Sequence, residues 1–259
     1  MYKAVFVDVD GVLKSYTLQN SVESFDIDAI NGIRMLEDYG IKLCYASGKT
    51  ASYVIGCLNC SGFDANGFIA GENGGIIINK SSEIVKYDKY LDDLEFFRKS
   101  LPLSTNKWNV FNENGLEGWI MEEQKTASLT ILLSGLSPAK FAEYLEEFIK
   151  SMRLNLTVVY GPSYIDVIQN GADKSYSLNL FSEKTGIKLE EIVGIGNGKN
   201  DLSMLRIVGL PAAPANAESE VRGIILERGG YLASKPVGKG FLEICRHIVR
   251  NSSPEIIWL

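Results

Sequence analysis

Residues 3–9 (KAVFVDV) form a short run of β-branched and apolar side chains without polar alternation, the pattern of a strand buried on both faces. From Asp26 to Tyr39, Ile27, Ile30, Ile33 and Leu36 recur at helical spacing, and Gly40 stops the helix. Residues 41–46 (IKLCYA) are a second buried strand and 50–60 a second helix, with short strands at 67–70 and 76–78 around a Gly-rich turn. Strand, helix, strand, helix at the start of a chain predicts an α/β fold with a parallel sheet flanked by helices.

The pattern then changes. Residues 117–123, 127–133, 156–160 and 164–168 have the length and spacing of short hairpin strands. Ser137-Pro138 starts a helix that carries Phe141, Leu145, Phe148, Ile149 and Met152 on one face. After about residue 174 the alternation returns, with a helix at 174–185, a strand at 191–195, a helix at 200–206, a strand at 207–212 and a closing helix at 240–250. The expected organisation is one core built from both ends of the chain, residues 1–80 and 171–259, with an α+β module inserted at 81–170.

Composition narrows the partners. Lys and Arg total 26 against 32 Asp and Glu, a net charge of −6, whereas a nucleic-acid binder carries a basic surplus. No apolar stretch approaches the roughly 20 residues that span a bilayer, and residues 1–10 lack a signal-peptide core, so a cytoplasmic protein with no membrane partner is expected. Four cysteines do not make a disulfide scaffold in a chain of 259 residues, and Cys57-x-x-Cys60 has no second pair to complete a zinc site. His247, the single histidine, sits on a helical pattern near the far end, which argues against Ser–His or Cys–His catalysis.

Four stretches carry chemistry. Asp8-Val9-Asp10-Gly11 ends the first strand, where ligands of open α/β sheets bind. Two carboxylates at i and i+2 point the same way and repel unless a cation or proton intervenes, though the pair alone also fits a solvated loop start. Ser47-Gly48-Lys49-Thr50 follows the second strand; Leu43 stands where a nucleotide-binding P-loop needs glycine, but a Ser before a helix N-terminus still suits a phosphate. Asp173-Lys174 puts a lysine at a helix start, against the helix dipole, which favours an anionic neighbour. Gly194-Ile195-Gly196-Asn197-Gly198-Lys199-Asn200-Asp201 fails the dinucleotide spacing at Lys199 and offers Asn197 and Asp201 as oxygen ligands.

In their order and placement these stretches resemble the haloacid dehalogenase superfamily of aspartyl-phosphate phosphatases, over nearly the whole chain. The insert between the second and third motifs looks like the type II (Cof-like) cap. Gly71-Glu72-Asn73-Gly74-Gly75, Asn170-Gly171 through Lys174 and Pro214-Ala215-Asn216-Ala217 resemble archaeal-type phosphoglycolate phosphatases. The resemblance implies that Asp8 is the nucleophile and Asp10 the general acid and base. It implies that Ser47, Gly48 and Lys174 hold the phosphate, and that Asn73 and Asn170 contact substrate from loop and cap. Mg²⁺ is expected on the Asp8 carboxylate, the Asp10 carbonyl and oxygens of Asn197 and Asp201. Two positions depart from the family pattern: Asn197 replaces an Asp, removing a negative charge from the metal shell, and Lys49 stands where relatives carry Arg or Asn.

A Mg²⁺-dependent phosphatase of a small phosphorylated metabolite is therefore expected, as a monomer or homodimer. 2-Phosphoglycolate is the first substrate to consider, and a sugar phosphate or phosphorylated glycosyl-glycerate is the alternative. A non-catalytic binder of a phosphorylated ligand is the reading from another class, favoured by Asn197.

Overall fold

A computed structural model describes residues 1–15, 22–64, 68–79, 83–101, 110–113, 116–121, 125–133 and 138–252. Gly67, residues 122–123 and the Ser137 cap fall outside them. The first strand, β1 (Ala4–Val7), is wholly buried and pairs in parallel with β2 (Lys42–Ala46) on one side and with a strand at Ile192–Ile195 on the other. Between β1 and β2 runs α1 (Ile27–Asp38), and after β2 comes α2 (Ala51–Cys60). The chain then adds β3 (Ile69–Gly71) in parallel, and β4 (Ile76–Ile78) and β5 (Ile84–Lys86) antiparallel. Because Asn79 and Glu83 bond to each other and β5 pairs antiparallel with β4, the core sheet continues to residue 86, past the expected boundary at 80.

Residues from Leu91 to Gln169 build the second unit. It comprises α3 (Leu91–Ser100), β6 (Val110–Glu113), β7 (Leu116–Met121), β8 (Ser128–Leu133), α4 (Pro138–Ser151), β9 (Leu156–Tyr160) and β10 (Tyr164–Gln169). Its five strands form an antiparallel sheet in the order β6-β7-β8-β10-β9. Alternation along β8 and β10 divides the two faces. Leu129, Ile131, Ile165 and Val167 pack with Leu94 and Phe97 of α3 and with Phe141, Leu145 and Ile149 of α4. Thr130, Leu132, Tyr164 and Asp166 stand on the opposite face and line a cavity. Met152, expected on the apolar stripe of α4, lies past the helix end and is exposed. Where the chain leaves and re-enters the core the linkers clasp each other: Gln169 donates to the Tyr87 carbonyl at 2.8 Å and accepts from the Tyr90 N–H at 2.9 Å.

The core resumes with α5 (Lys174–Thr185), β11 (Ile192–Ile195), α6 (Leu202–Leu205), β12 (Leu210–Ala213), α7 (Ser219–Glu227), β13 (Tyr231–Leu232) and α8 (Val237–Ser252). The eight-stranded order is β13-β12-β11-β1-β2-β3-β4-β5, parallel from β13 to β3. Apolar layers from α1, α2 and α8 cover one face and from α5, α6 and α7 the other. The buried stripe of α1 is Ala29, Gly32, Ile33 and Leu36, rotated from the Ile27 and Ile30 expected in it. Gly32 is the reason: a Cβ there would lie 2.8 Å from the Phe241 ring, so its absence lets α8 close in. Gly40, at φ +69°, ends α1 in the left-handed conformation while the Ile41 N–H bonds back to the Leu36 carbonyl at 3.0 Å.

Candidate active site

The carboxyl ends of β1, β2 and β11 meet beneath the cap sheet and enclose a cavity of about 250 Å³. Asp8 follows β1 directly, its N–H donating to the Ile195 carbonyl at 2.9 Å. Lys174, the first residue of α5, is fully buried, and its ammonium reaches Asp8 Oδ1 at 2.8 Å and Asp201 Oδ1 at 2.6 Å. The anionic neighbour expected for this lysine is thus a pair of carboxylates. Burial alone would lower the Lys174 ammonium, but Asp201 and Asp8 outweigh it and raise it, so it stays charged. Burial first, and then the Asp201 charge, push the Asp8 carboxyl up to about 7 against the pull of Lys174.

Asp10 lies two residues further on and lines the same cavity. Its Oδ1 accepts from the Tyr53 hydroxyl at 3.3 Å, and that hydroxyl accepts from the buried Lys14 ammonium at 3.1 Å. Burial raises the Asp10 carboxyl, opposed by Lys49 and Lys14. A carboxyl whose proton is held more tightly than usual, beside a second carboxyl group, is suited to passing a proton. Ser47 faces the same cavity just past the end of β2, with Gly48 and Lys49 beside it. Thr50 caps α2, accepting from the Tyr53 N–H at 3.3 Å, so the α2 N-terminus starts just past this loop.

Asn197 and Asp201 divide the work expected of them. Asp201 Oδ2 accepts from the Asn197 and Gly198 N–H groups at 2.8 and 2.9 Å, and Oδ1 is taken by Lys174. Both oxygens of Asp201 are therefore committed inside the protein, and it stands behind the site instead of offering a metal ligand. Gly196 makes this possible, since a Cβ there would lie 2.4 Å from that carboxylate. One end of the Asn197 amide lies 3.0 Å from the Asp10 carbonyl oxygen and 3.3 Å from Asp8 Oδ2. With its NH₂ turned that way the amide donates to both; with its oxygen turned that way three oxygens converge, and only a cation satisfies them. Among the described residues no group of three or more His, Cys, Asp or Glu side chains is arranged for a metal. A donor set of one carboxylate, one carbonyl and one amide is hard, all-oxygen and suited to Mg²⁺ with water completing the shell.

Comparison with known proteins finds relatives along nearly the whole chain. A sequence profile for haloacid dehalogenase-like hydrolases matches residues 98–225. A phosphoglycolate phosphatase of Thermoplasma volcanium is 26% identical over 253 residues, covering 95% of this chain and 98% of that protein. Another from Methanospirillum hungatei is 26% identical over 250 residues, covering 95% and 96%. Among solved structures, a Thermoplasma acidophilum protein superposes with a TM-score of 0.73 at 22% identity, over 96% of this chain and 99% of its own. The sucrose-phosphatase of Synechocystis superposes at 0.72 with 14% identity, over 96% and 99%. The chain resembles the haloacid dehalogenase-like hydrolases along its length and shares their fold.

In this hydrolase two expected substrate contacts sit elsewhere. Asn170 is exposed at the end of β10, its carbonyl accepting from the Tyr87 hydroxyl at 2.9 Å; it belongs to the clasp between the linkers and does not line the cavity. Asn73 is 1% exposed, and its amide is spent on Asp166 and Asn200. His247 stacks on Tyr231 and is outside the cavity lining, and Cys57 is buried while Cys60 is exposed on the same helix. The cap residues Lys125, Thr130 and Asp166 went unnoticed in the sequence. The signal was the period of two in SLTILL and YIDVIQ, where a lone Thr and a lone Asp interrupt apolar strands on the face turned from the helices.

Proposed function

We propose that this hydrolase is a Mg²⁺-dependent phosphatase of small phosphorylated metabolites that works through an aspartyl-phosphate on Asp8, with 2-phosphoglycolate the first substrate to test. The observation that carries the reading is Asp8 held by buried Lys174 at the cavity floor, with Asp10 beside it. The Asp8 carboxylate attacks phosphorus and the bond to the ester oxygen breaks, while Asp10 gives its proton to the departing alkoxide. Asp10 then takes a proton from water as that water attacks the acyl phosphate, releasing phosphate and restoring Asp8. Ser47 and Lys174 hold the non-bridging oxygens, with Lys174 also offsetting the charge of the Asp8–Asp201 pair. Mg²⁺, when bound by Asp8, the Asp10 carbonyl and Asn197, neutralises charge on the phosphoryl group and keeps Asp8 ionised.

Size supports a compact substrate: about 250 Å³ is below the roughly 300–1,000 Å³ of sites for drug-sized ligands. The names of the relatives from Thermoplasma volcanium and Methanospirillum hungatei favour phosphoglycolate over the sugar phosphate or glycosyl-phosphoglycerate alternative. All four cysteines are free, as in a reducing cytoplasm, and no helix among the described residues is long and apolar enough to cross a membrane. Asn197 favours the second reading, a non-catalytic binder; the joint retention of Asp8, Asp10, Ser47 and Lys174 opposes it. Phosphate release from a panel of phosphorylated metabolites with Mg²⁺ tests the proposal. Turnover that vanishes in Asp8→Asn is expected, and release that survives that substitution rejects the mechanism.

A further inference from the structure

The turn between β3 and β4 is strained without serving the chemistry directly. Glu72, Asn73 and Gly74 stand in succession at φ +53°, +58° and +102°, a left-handed run that costs two side-chain-bearing residues their preferred conformation. Strain of this kind persists where its surroundings over-determine it, and the surroundings here are the cap. Glu72 Oε2 accepts from three consecutive N–H groups at the entry to β8, those of Thr126, Ala127 and Ser128, at 3.0, 2.7 and 3.0 Å. Asn73 binds three ways: its N–H donates to the Ser47 carbonyl at 2.9 Å, its Oδ1 accepts from Asn200 at 3.2 Å, and its Nδ2 donates to Asp166 Oδ2 at 2.8 Å. Those partners are the phosphate loop, the metal-side loop and the cap wall.

Among the described residues the same turn touches both linkers between the two units. The Gly75 carbonyl accepts from Tyr87 on the outgoing linker at 2.8 Å. A Cβ on Gly74 would lie 2.4 Å from the Asp173 carbonyl on the returning linker, and one on Gly75 would lie 2.6 Å from Ala127. Downstream of Asn73, Asp166 Oδ1 accepts from its cross-strand partner Thr130 at 2.5 Å, and Thr130 contacts the Lys125 ammonium.

We propose that Glu72 and Asn73 are positioning residues that fix the cap wall, with Asp166, Thr130 and Lys125, over the phosphoryl-transfer loops, and so set how the enzyme discriminates between leaving groups. The kinetic part of this proposal rests on the phosphatase reading; the mechanical part does not. Neither residue touches substrate: each acts through the cap.

The test uses the full chain with Glu72→Gly, which permits the left-handed backbone while removing the carboxylate, and Glu72→Gln, which keeps an oxygen acceptor. Hydrogen exchange and steady-state kinetics with 2-phosphoglycolate and p-nitrophenyl phosphate are measured on the same samples. p-Nitrophenolate departs without help from the cap. In Glu72→Gly the amides of residues 126–128 are expected to exchange about tenfold faster or more, with core strands unchanged. The KM for 2-phosphoglycolate is expected to rise about tenfold while kcat/KM for p-nitrophenyl phosphate stays within about threefold, and Glu72→Gln is expected to recover most of the loss. Equal losses on both substrates, or unaltered exchange at 126–128, overturn the proposal. If the wild type hydrolyses neither ester, the phosphatase reading fails and the exchange result alone decides the clamp.

Discussion

Replacing Asn197 by Asp restores the charge that the family pattern carries, and its consequences have opposite signs with and without metal. In the metal-free protein the Asn197 amide sits 3.3 Å from Asp8 Oδ2 and 3.0 Å from the Asp10 carbonyl, where its NH₂ donates to both. A carboxylate in its place cannot donate. At an effective dielectric of about 20, two negative charges about 3.3 Å apart repel by roughly 5 kcal/mol before solvent and protonation relieve them. Mg²⁺ reverses the sign, because the same added charge now faces a divalent cation. If only a quarter of that energy survives desolvation, about 1.3 kcal/mol remains, close to a tenfold tighter Mg²⁺ dissociation constant. The assay is a Mg²⁺ titration by calorimetry on wild type and Asn197→Asp, paired with thermal melts in EDTA and in saturating Mg²⁺. Tighter binding is expected together with a melting point several degrees lower in EDTA, at about 2–4 °C per kcal/mol for a chain of this size. Unchanged affinity and an unchanged EDTA melt would refute the placement of Asn197 in the metal shell.

Burial holds the Asp8 carboxyl at about 7 in the metal-free fold, against 3.8 when exposed, so this group withdraws stability as pH climbs from about 4 through 7. Mg²⁺ binding must expel that proton, and calorimetry in buffers of different ionisation heat should show proton release at pH 6 that fades by pH 8.5; no difference between buffers would contradict the burial argument. Tyr53→Phe deletes the hydroxyl that steadies Asp10, a bond worth about 0.5–1.5 kcal/mol, and should lower kcat by up to about tenfold with KM unmoved. Gly196→Ala drives a methyl to 2.4 Å from the Asp201 carboxylate, and urea denaturation should register a loss of about 1–3 kcal/mol or more along with activity.

Much of both units was legible because the cues are local. The unalternating run at β1, the glycine ending α1 and the apolar period of α4 needed only neighbours in sequence to be read. Lys174 was legible for a different reason: a lysine at a helix N-terminus is electrostatically misplaced unless carboxylates await it, and two do. What escaped depends on distant pairing. The helix α3 and the strand β5 take their place from the cap core and from β4: α3 is too polar to announce itself, and β5 is only three residues long. Asp201 and Asn197 look equivalent as oxygen donors until the backbone folds two N–H groups and Lys174 onto Asp201. Asn73 reads as a turn residue beside glycine, and only the return of β10, 93 positions later, gives its amide a partner in Asp166.

Rapid acid quench of the enzyme during turnover, followed by peptide mass mapping, tests the central claim most directly. The predicted result is a phosphoryl group on the side chain of Asp8, present with Mg²⁺ and absent in Asp8→Asn. A phosphoryl group trapped on any other residue would contradict the account.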